Sequence, residues 1–106
     1  MNKDQIINEM RILEQNLQNL FIQRQTFQME LDETQSALTE IEKSGDEIFK
    51  VIGQLMIKTE KSKVKEELFD KEKILNLRIK SIEKQEVFLT KQLDELREKI
   101  MKTINS

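Results

Sequence analysis

The sequence predicts a mainly α fold: a long antiparallel two-helix coiled coil with one β-hairpin at its apex. Three observations carry that prediction. Two heptad seams of matching length occupy the two ends of the chain, a short run rich in Ile, Val, Phe and Leu interrupts them once, and the composition suits helices. Of 106 residues, 36% are charged and 37% hydrophobic, with no Pro, Trp, Tyr, Cys or His and only two Gly. That profile belongs to coiled coils rather than to a packed α/β core. The near balance of 18 basic and 20 acidic side chains, together with the regular apolar spacing, argues against disorder. The expected layout is a single domain over 1–106, with a first helix at about 3–44, a hairpin at about 47–60 and a second helix at about 62–104.

The first helix is read from steps of four and three: Ile6, Met10, Leu13, Leu17, Leu20, Arg24, Phe27, Leu31, Thr34, Leu38 and Ile41. Nine of these eleven positions are apolar, a sustained coiled-coil signal. Asn2 is placed to cap the start, with Gln5 three residues on. Ser44-Gly45 supplies the expected stop, since Gly is favoured just past a helix end.

Between the seams, Gly53-Gln54 sits inside Ile48–Thr59. A two-residue type II′ turn needs φ > 0 at its first central residue, which Gly provides. That turn pairs Ile52 with Leu55, Val51 with Met56, Lys50 with Ile57 and Phe49 with Lys58. One face then carries Phe49, Val51 and Met56, and the other Ile48, Ile52, Leu55 and Ile57. A lone two-stranded ribbon is marginal in water, so this hairpin requires a partner.

Thr59 or Ser62 is the expected cap of the second helix. The same stepping then gives Leu68, Glu72, Leu75, Ile79, Ile82, Glu86, Leu89, Leu93, Leu96, Ile100 and Thr103. Each seam runs roughly 53 Å at ~1.5 Å per residue. Pairing Ile41 with Leu68 sets all other layers, and Arg24 then falls opposite Glu86. This pair is expected to fix the register, at some cost in stability relative to an apolar layer.

Chemistry is poorly represented. Without His or Cys, the usual general bases, thiolate nucleophiles and zinc ligands are missing. No glycine-rich loop or calcium loop is present. The expectation is no enzyme, no catalytic residue, no metal and no cofactor. A net charge of −2 gives no reason to expect nucleic acid, and no apolar run reaches the ~20 residues of a membrane span. A cytoplasmic protein is the default expectation.

Apolar residues beside the seams are more informative. Ile7, Ile12, Met101 and Ile104 join Ile6, Met10, Leu13, Leu96 and Ile100 at the tip farthest from the hairpin. Together they form a thinly covered apolar end with two adaptable Met side chains. A second widening brings Phe21 and Ile22 near Val87 and Phe88, while Phe69, Ile74 and Leu77 lie close to the hairpin.

With helix, hairpin and helix in hand, the chain resembles a prefoldin subunit of the β type, in its archaeal form. The resemblance is most specific over Phe49-Lys50-Val51-Ile52-Gly53-Gln54-Leu55-Met56-Ile57-Lys58-Thr59, where the family shows aromatic-Lys-x-Val-Gly-x-Leu-hydrophobic-Val-Lys. It continues through Leu75-Asn76-Leu77-Arg78-Ile79-Lys80-Ser81-Ile82-Glu83-Lys84-Gln85-Glu86. One departure is Ser44-Gly45-Asp46-Glu47, where an acidic stretch without Gly is the family pattern.

The resemblance implies a hetero-hexamer of two α-type and four β-type subunits, whose hairpins build a β-barrel body. It implies an ATP-independent holdase whose arm tips bind non-native proteins and deliver them to a group II chaperonin. By position, Ile48, Phe49, Val51, Ile52, Gly53, Leu55, Met56 and Ile57 become the oligomerisation element. The nine tip residues become the client-binding surface. The competing expectation is a structural coiled-coil adaptor that docks one defined folded partner. A helical arm excised from a larger enzyme is a third, disfavoured by the near-neutral charge and the two-faced hairpin.

Overall fold

A computed structural model describes residues 2–105. In chain order it contains helix α1 (Lys3–Glu42), strands β1 (Glu47–Ile52) and β2 (Leu55–Glu60), and helix α2 (Lys61–Asn105). The chain groups into two units, one joining the segments up to Thr26 and from Ile79, the other comprising Phe27–Arg78.

In the first unit the early part of α1 lies antiparallel to the late part of α2. Cross-helix pairs run in opposite order, Arg24 with Glu86 and Glu14 with Arg97. Ile6, Leu20, Ile79, Ile82, Leu93 and Leu96 are buried. All occupy seam positions, and burying each such side chain contributes about 1.5–3 kcal/mol. The start of α1 is closed by a reciprocal capping box. The Gln5 backbone N–H donates to Asn2 Oδ1 at 2.9 Å, and the Asn2 N–H donates to Gln5 Oε1 at 3.0 Å. Two otherwise orphaned donors are thereby satisfied.

The second unit holds the rest of α1, the hairpin and the start of α2. Leu31, Thr34 and Leu75 are buried there. Thr34 is tolerated in the seam because its hydroxyl donates back to the Glu30 carbonyl at 2.8 Å. The hairpin has the expected register, Ile52 with Leu55 at the turn out to Glu47 with Glu60 at the base. Gly53 has φ 59° while Gln54 is not in the positive region, the combination that distinguishes type II′ from type I′.

The helix ends near the hairpin differ from expectation. α1 stops at Glu42, short of 44, and Gly45 does not enter the left-handed region. The last turn instead tightens, with the Lys43 N–H donating to the Glu40 carbonyl, and the Ser44 side chain donates to the Ile41 carbonyl at 2.7 Å. Lys61 Nζ donates to the carbonyls of Ser44 and Glu42, at 3.1 and 3.4 Å. α1 has no basic residue in its own last turn. Its C-terminal dipole and free carbonyls are therefore met by a cation from α2.

α2 likewise starts at Lys61 without Thr59 or Ser62 as cap. Thr59 is committed to the ladder, opposite Ile48, and Ser62 already lies inside the helix. The Lys61 N–H donates to the Asp46 carbonyl at 3.1 Å, so β2 passes into α2 with no loop between them.

Candidate functional site

Heptad geometry divides the nine tip residues into two sets. Ile6 and Leu96 are 2% and 7% exposed; they hold the helices together and are closed to a ligand. Met10, Leu13 and Ile100 are half-buried, while Ile7, Ile12, Met101 and Ile104 are exposed. The exposed four lie on two sides of the seam. Glu14 pairs with Arg97, and one heptad further out the same register sets Ile7 opposite Ile104. Met101 lies on that side too, one turn before Ile104. On the other side a hollow of about 280 Å³ has Ile12, Leu13 and Leu96 among its walls, with Glu9, Gln92, Glu95 and Lys99 beside them.

Farther along the same unit, Arg24 Nε donates to Glu86 Oε1 at 2.7 Å and Nη2 to Oε2 at 3.4 Å. The two side chains are 30% and 20% exposed, so this ion pair is screened less than a surface pair. The guanidinium also lies 5.3 Å from the Phe21 ring centroid. Phe21, Ile22, Val87 and Phe88 remain exposed.

In the second unit the two faces of the hairpin are inequivalent. Lys50 donates to Glu67 of α2 at 3.1 Å. That contact holds the base of the face carrying Ile48, Lys50, Ile52, Leu55, Ile57 and Thr59 against α2, where Ile48 and Thr59 are half-buried, while nearer the turn Ile52, Leu55 and Ile57 are 44–65% exposed. Phe49, Val51 and Met56, on the opposite face, are 59–69% exposed. Sequence alternation identified both apolar faces but carried no signal for which one meets the helix; the spacing from Lys50 to Glu67 was the missed clue. Phe69, Ile74 and Leu77 are also exposed, with Lys65 Nζ 6.0 Å from the Phe69 ring centroid.

A hollow of about 750 Å³ lies where the strands meet α2 and is lined by Asp46, Glu47, Lys58, Thr59, Glu60, Lys61, Ser62 and Lys65. Its cations are engaged within the fold. Lys58 pairs with Glu47 at 3.0 Å, Lys61 holds the α1 carbonyls, and Lys65 pairs with Glu42. The Lys65 hydrogen bond and charge, with a smaller contribution from Lys61, hold the Glu42 carboxyl below the usual carboxylate range. Among the described residues no group of His, Cys, Asp or Glu is arranged to hold a metal, and no helix is long and apolar enough to cross a membrane.

Paired helices with exposed apolar side chains at their ends, joined by a hairpin whose outer face and both edges are open, define a class: helical-arm proteins built around a β-hairpin. Three comparisons place the chain within that class. The Prefoldin subunit family pattern matches residues 4–106. Prefoldin subunit beta of Thermococcus gammatolerans is 41% identical over 101 residues, covering 93% of this chain and 86% of the relative. That of Thermococcus onnurineus is 40% identical over 97 residues, covering 90% and 84%. The crystal structure of the prefoldin beta subunit from Thermococcus strain KS-1 superposes with a TM-score of 0.90 at 33% identity, covering 97% of this chain and 92% of that one. The chain belongs to the prefoldin subunit family, a family of chaperone components, as a member of its archaeal β type.

Proposed function

We propose that this chain is a β-type subunit of a cytoplasmic prefoldin hexamer, two α-type and four β-type subunits, that holds non-native proteins without ATP and passes them to a group II chaperonin. The observation that supports this reading most is the tip. Four large apolar side chains, Ile7, Ile12, Met101 and Ile104, stand exposed around a helix pair whose own seam is already closed by Ile6 and Leu96. They are surplus to the fold. At ~25 cal/mol per Å² a single tip binds weakly, and several tips around one client gain through effective concentration. The hairpin supports the assembly half of the reading. Phe49, Val51 and Met56 give it an apolar face that its own chain leaves uncovered, and its open edges suit pairing with further strands.

The test compares the assembled hexamer with one whose β-type chain is truncated before Leu13 and after Leu96. The full hexamer is expected to suppress aggregation of a denatured model protein, and the truncated one to fail. Equal suppression by the truncated hexamer removes the tip from the mechanism. Saturable binding to one folded partner, without general suppression, replaces the holdase by the adaptor.

A further inference from the structure

Sulfur in this chain is carried by methionine alone, since there is no cysteine. The fold gives the methionines among the described residues different settings. Met10 is half-buried in the seam of α1. Met29 is exposed on the line of α1 opposite its seam, and Met56 on the outer face of the hairpin. Met101 is 57% exposed at the tip, on the flank it shares with Ile7 and Ile104. One turn before Met101 on that flank stands Arg97, at the i,i+4 spacing that brings helical side chains together. Arg97 is loosely held: its guanidinium lies 3.9 Å from Glu14 and 3.4 Å from Asp94, and the side chain is 54% exposed.

We propose that Met101 is a site of reversible oxidation by peroxide, and that its sulfoxide lowers the affinity of the tip for non-native polypeptide; the proposal rests on the holdase reading and adds its regulation. The thioether sulfur gives two electrons to the peroxide and takes one of its oxygens as S=O. The O–O bond breaks, and the second oxygen leaves as water. A methionine sulfoxide reductase reverses the step, two thiols becoming a disulfide while the oxygen leaves as water. Of the four exposed apolar side chains at the tip, Ile7, Ile12 and Ile104 carry no group that peroxide attacks. Met101 is therefore the one whose polarity can be reset. Its thioether is apolar and adaptable, whereas the sulfoxide is polar and accepts hydrogen bonds. Arg97 is placed to donate to that oxygen, giving up only its two long contacts. The seam stays closed by Ile6 and Leu96, so oxidation alters the surface and leaves the helix pair intact. A client segment laid across Ile7 and Ile104 then has to strip water and Arg97 from the sulfoxide, which costs free energy with nothing gained in return.

The test treats assembled hexamers with hydrogen peroxide, built from the wild-type chain, Met101→Leu or Met29→Leu. Mass spectrometry follows the added oxygen at each methionine, and binding of a chemically unfolded model protein is measured before and after. Oxidation at Met101 is expected to weaken binding by each tip about five-fold, as losing roughly half of a methionine's burial supplies. The helical circular dichroism is expected to be retained, and treatment with the reductase to restore binding. Met101→Leu is expected to bind as the wild type does and to keep that affinity through peroxide, whereas Met29→Leu loses it as the wild type does. Complete oxidation at Met101 with unchanged binding overturns the proposal and leaves the holdase standing. An equal loss in Met101→Leu places the effect at another residue and overturns it too, as does a loss that comes with unfolding of the helices. A hexamer that binds no unfolded protein and suppresses no aggregation before any peroxide is added overturns the holdase reading itself.

Discussion

Replacing Glu86 by Lys is the sharpest perturbation of the helix pairing. It leaves Arg24, 30% exposed, facing a like charge at the distance where it now makes a two-point ion pair. Exposed pairs are worth about 0.2–1 kcal/mol and removal of one partner from a buried pair costs about 3–5 kcal/mol. A pair of intermediate burial with a new repulsion falls between, at about 2 kcal/mol. For a chain of this size that lowers the melting temperature by roughly 10 °C. Adding Arg24→Glu restores opposite charges in the same layer and recovers most of the loss. Recovery is incomplete because lysine lacks the planar fork that arginine lays against a carboxylate.

The assay is thermal unfolding by circular dichroism of the wild type, both single variants and the double, at one protein concentration, since association shifts apparent stability. The quantity sought is the coupling energy of the cycle. A value under about 0.5 kcal/mol, with the two losses simply adding, refutes the register role. Desolvation adds to the Coulombic attraction in fixing the register. A slip of one heptad sets Arg24 against Leu93 or Ile79, so the wrong alignments each strand a charge among aliphatic side chains.

Two further outcomes are expected. Leu93→Ala, at a buried seam position, costs about 2–5 kcal/mol, whereas Val87→Ala, at an exposed position, stays within about 0.5 kcal/mol; denaturant melts of both measure the contrast. Lys65 holds the Glu42 carboxyl below its ordinary value, so this contact favours the folded chain above the unfolded-state carboxylate range and is lost as the pH falls through the lowered value. An NMR titration of Glu42 is expected to move up toward the ordinary value in Lys65→Met.

Much of the fold is legible in the residues because a heptad seam is a local pattern with a non-local consequence. Every seam position of α1 is buried or half-buried, and so is every one of α2 except Thr103. Thr103 lies in the last described turns and turns its hydroxyl back to the Lys99 carbonyl. The hairpin register was legible for a different reason: Gly53 followed by a residue other than Gly, Asn or Asp favours a two-residue type II′ turn, and the turn fixes all later pairs. The helix ends near the hairpin resisted because the groups that close them include long-range ones. Lys61 reaches back to Glu42 and Ser44, a contact that no rule about residues near Gly45 contains. Within the tip, Ile6 and Ile7 are adjacent isoleucines with opposite fates, and only their angular position against α2 separates them.

The direct passage from β2 into α2 has a mechanical consequence. A strand and a helix that share a peptide bond, with the Lys61 N–H held by Asp46 and the Lys61 side chain clamped on the end of α1, leave no slack at that junction. The direction in which α2 starts is set by the orientation of the sheet, as a spoke's is set by its hub. A partner that twists the hairpin therefore steers the first turns of α2 with it.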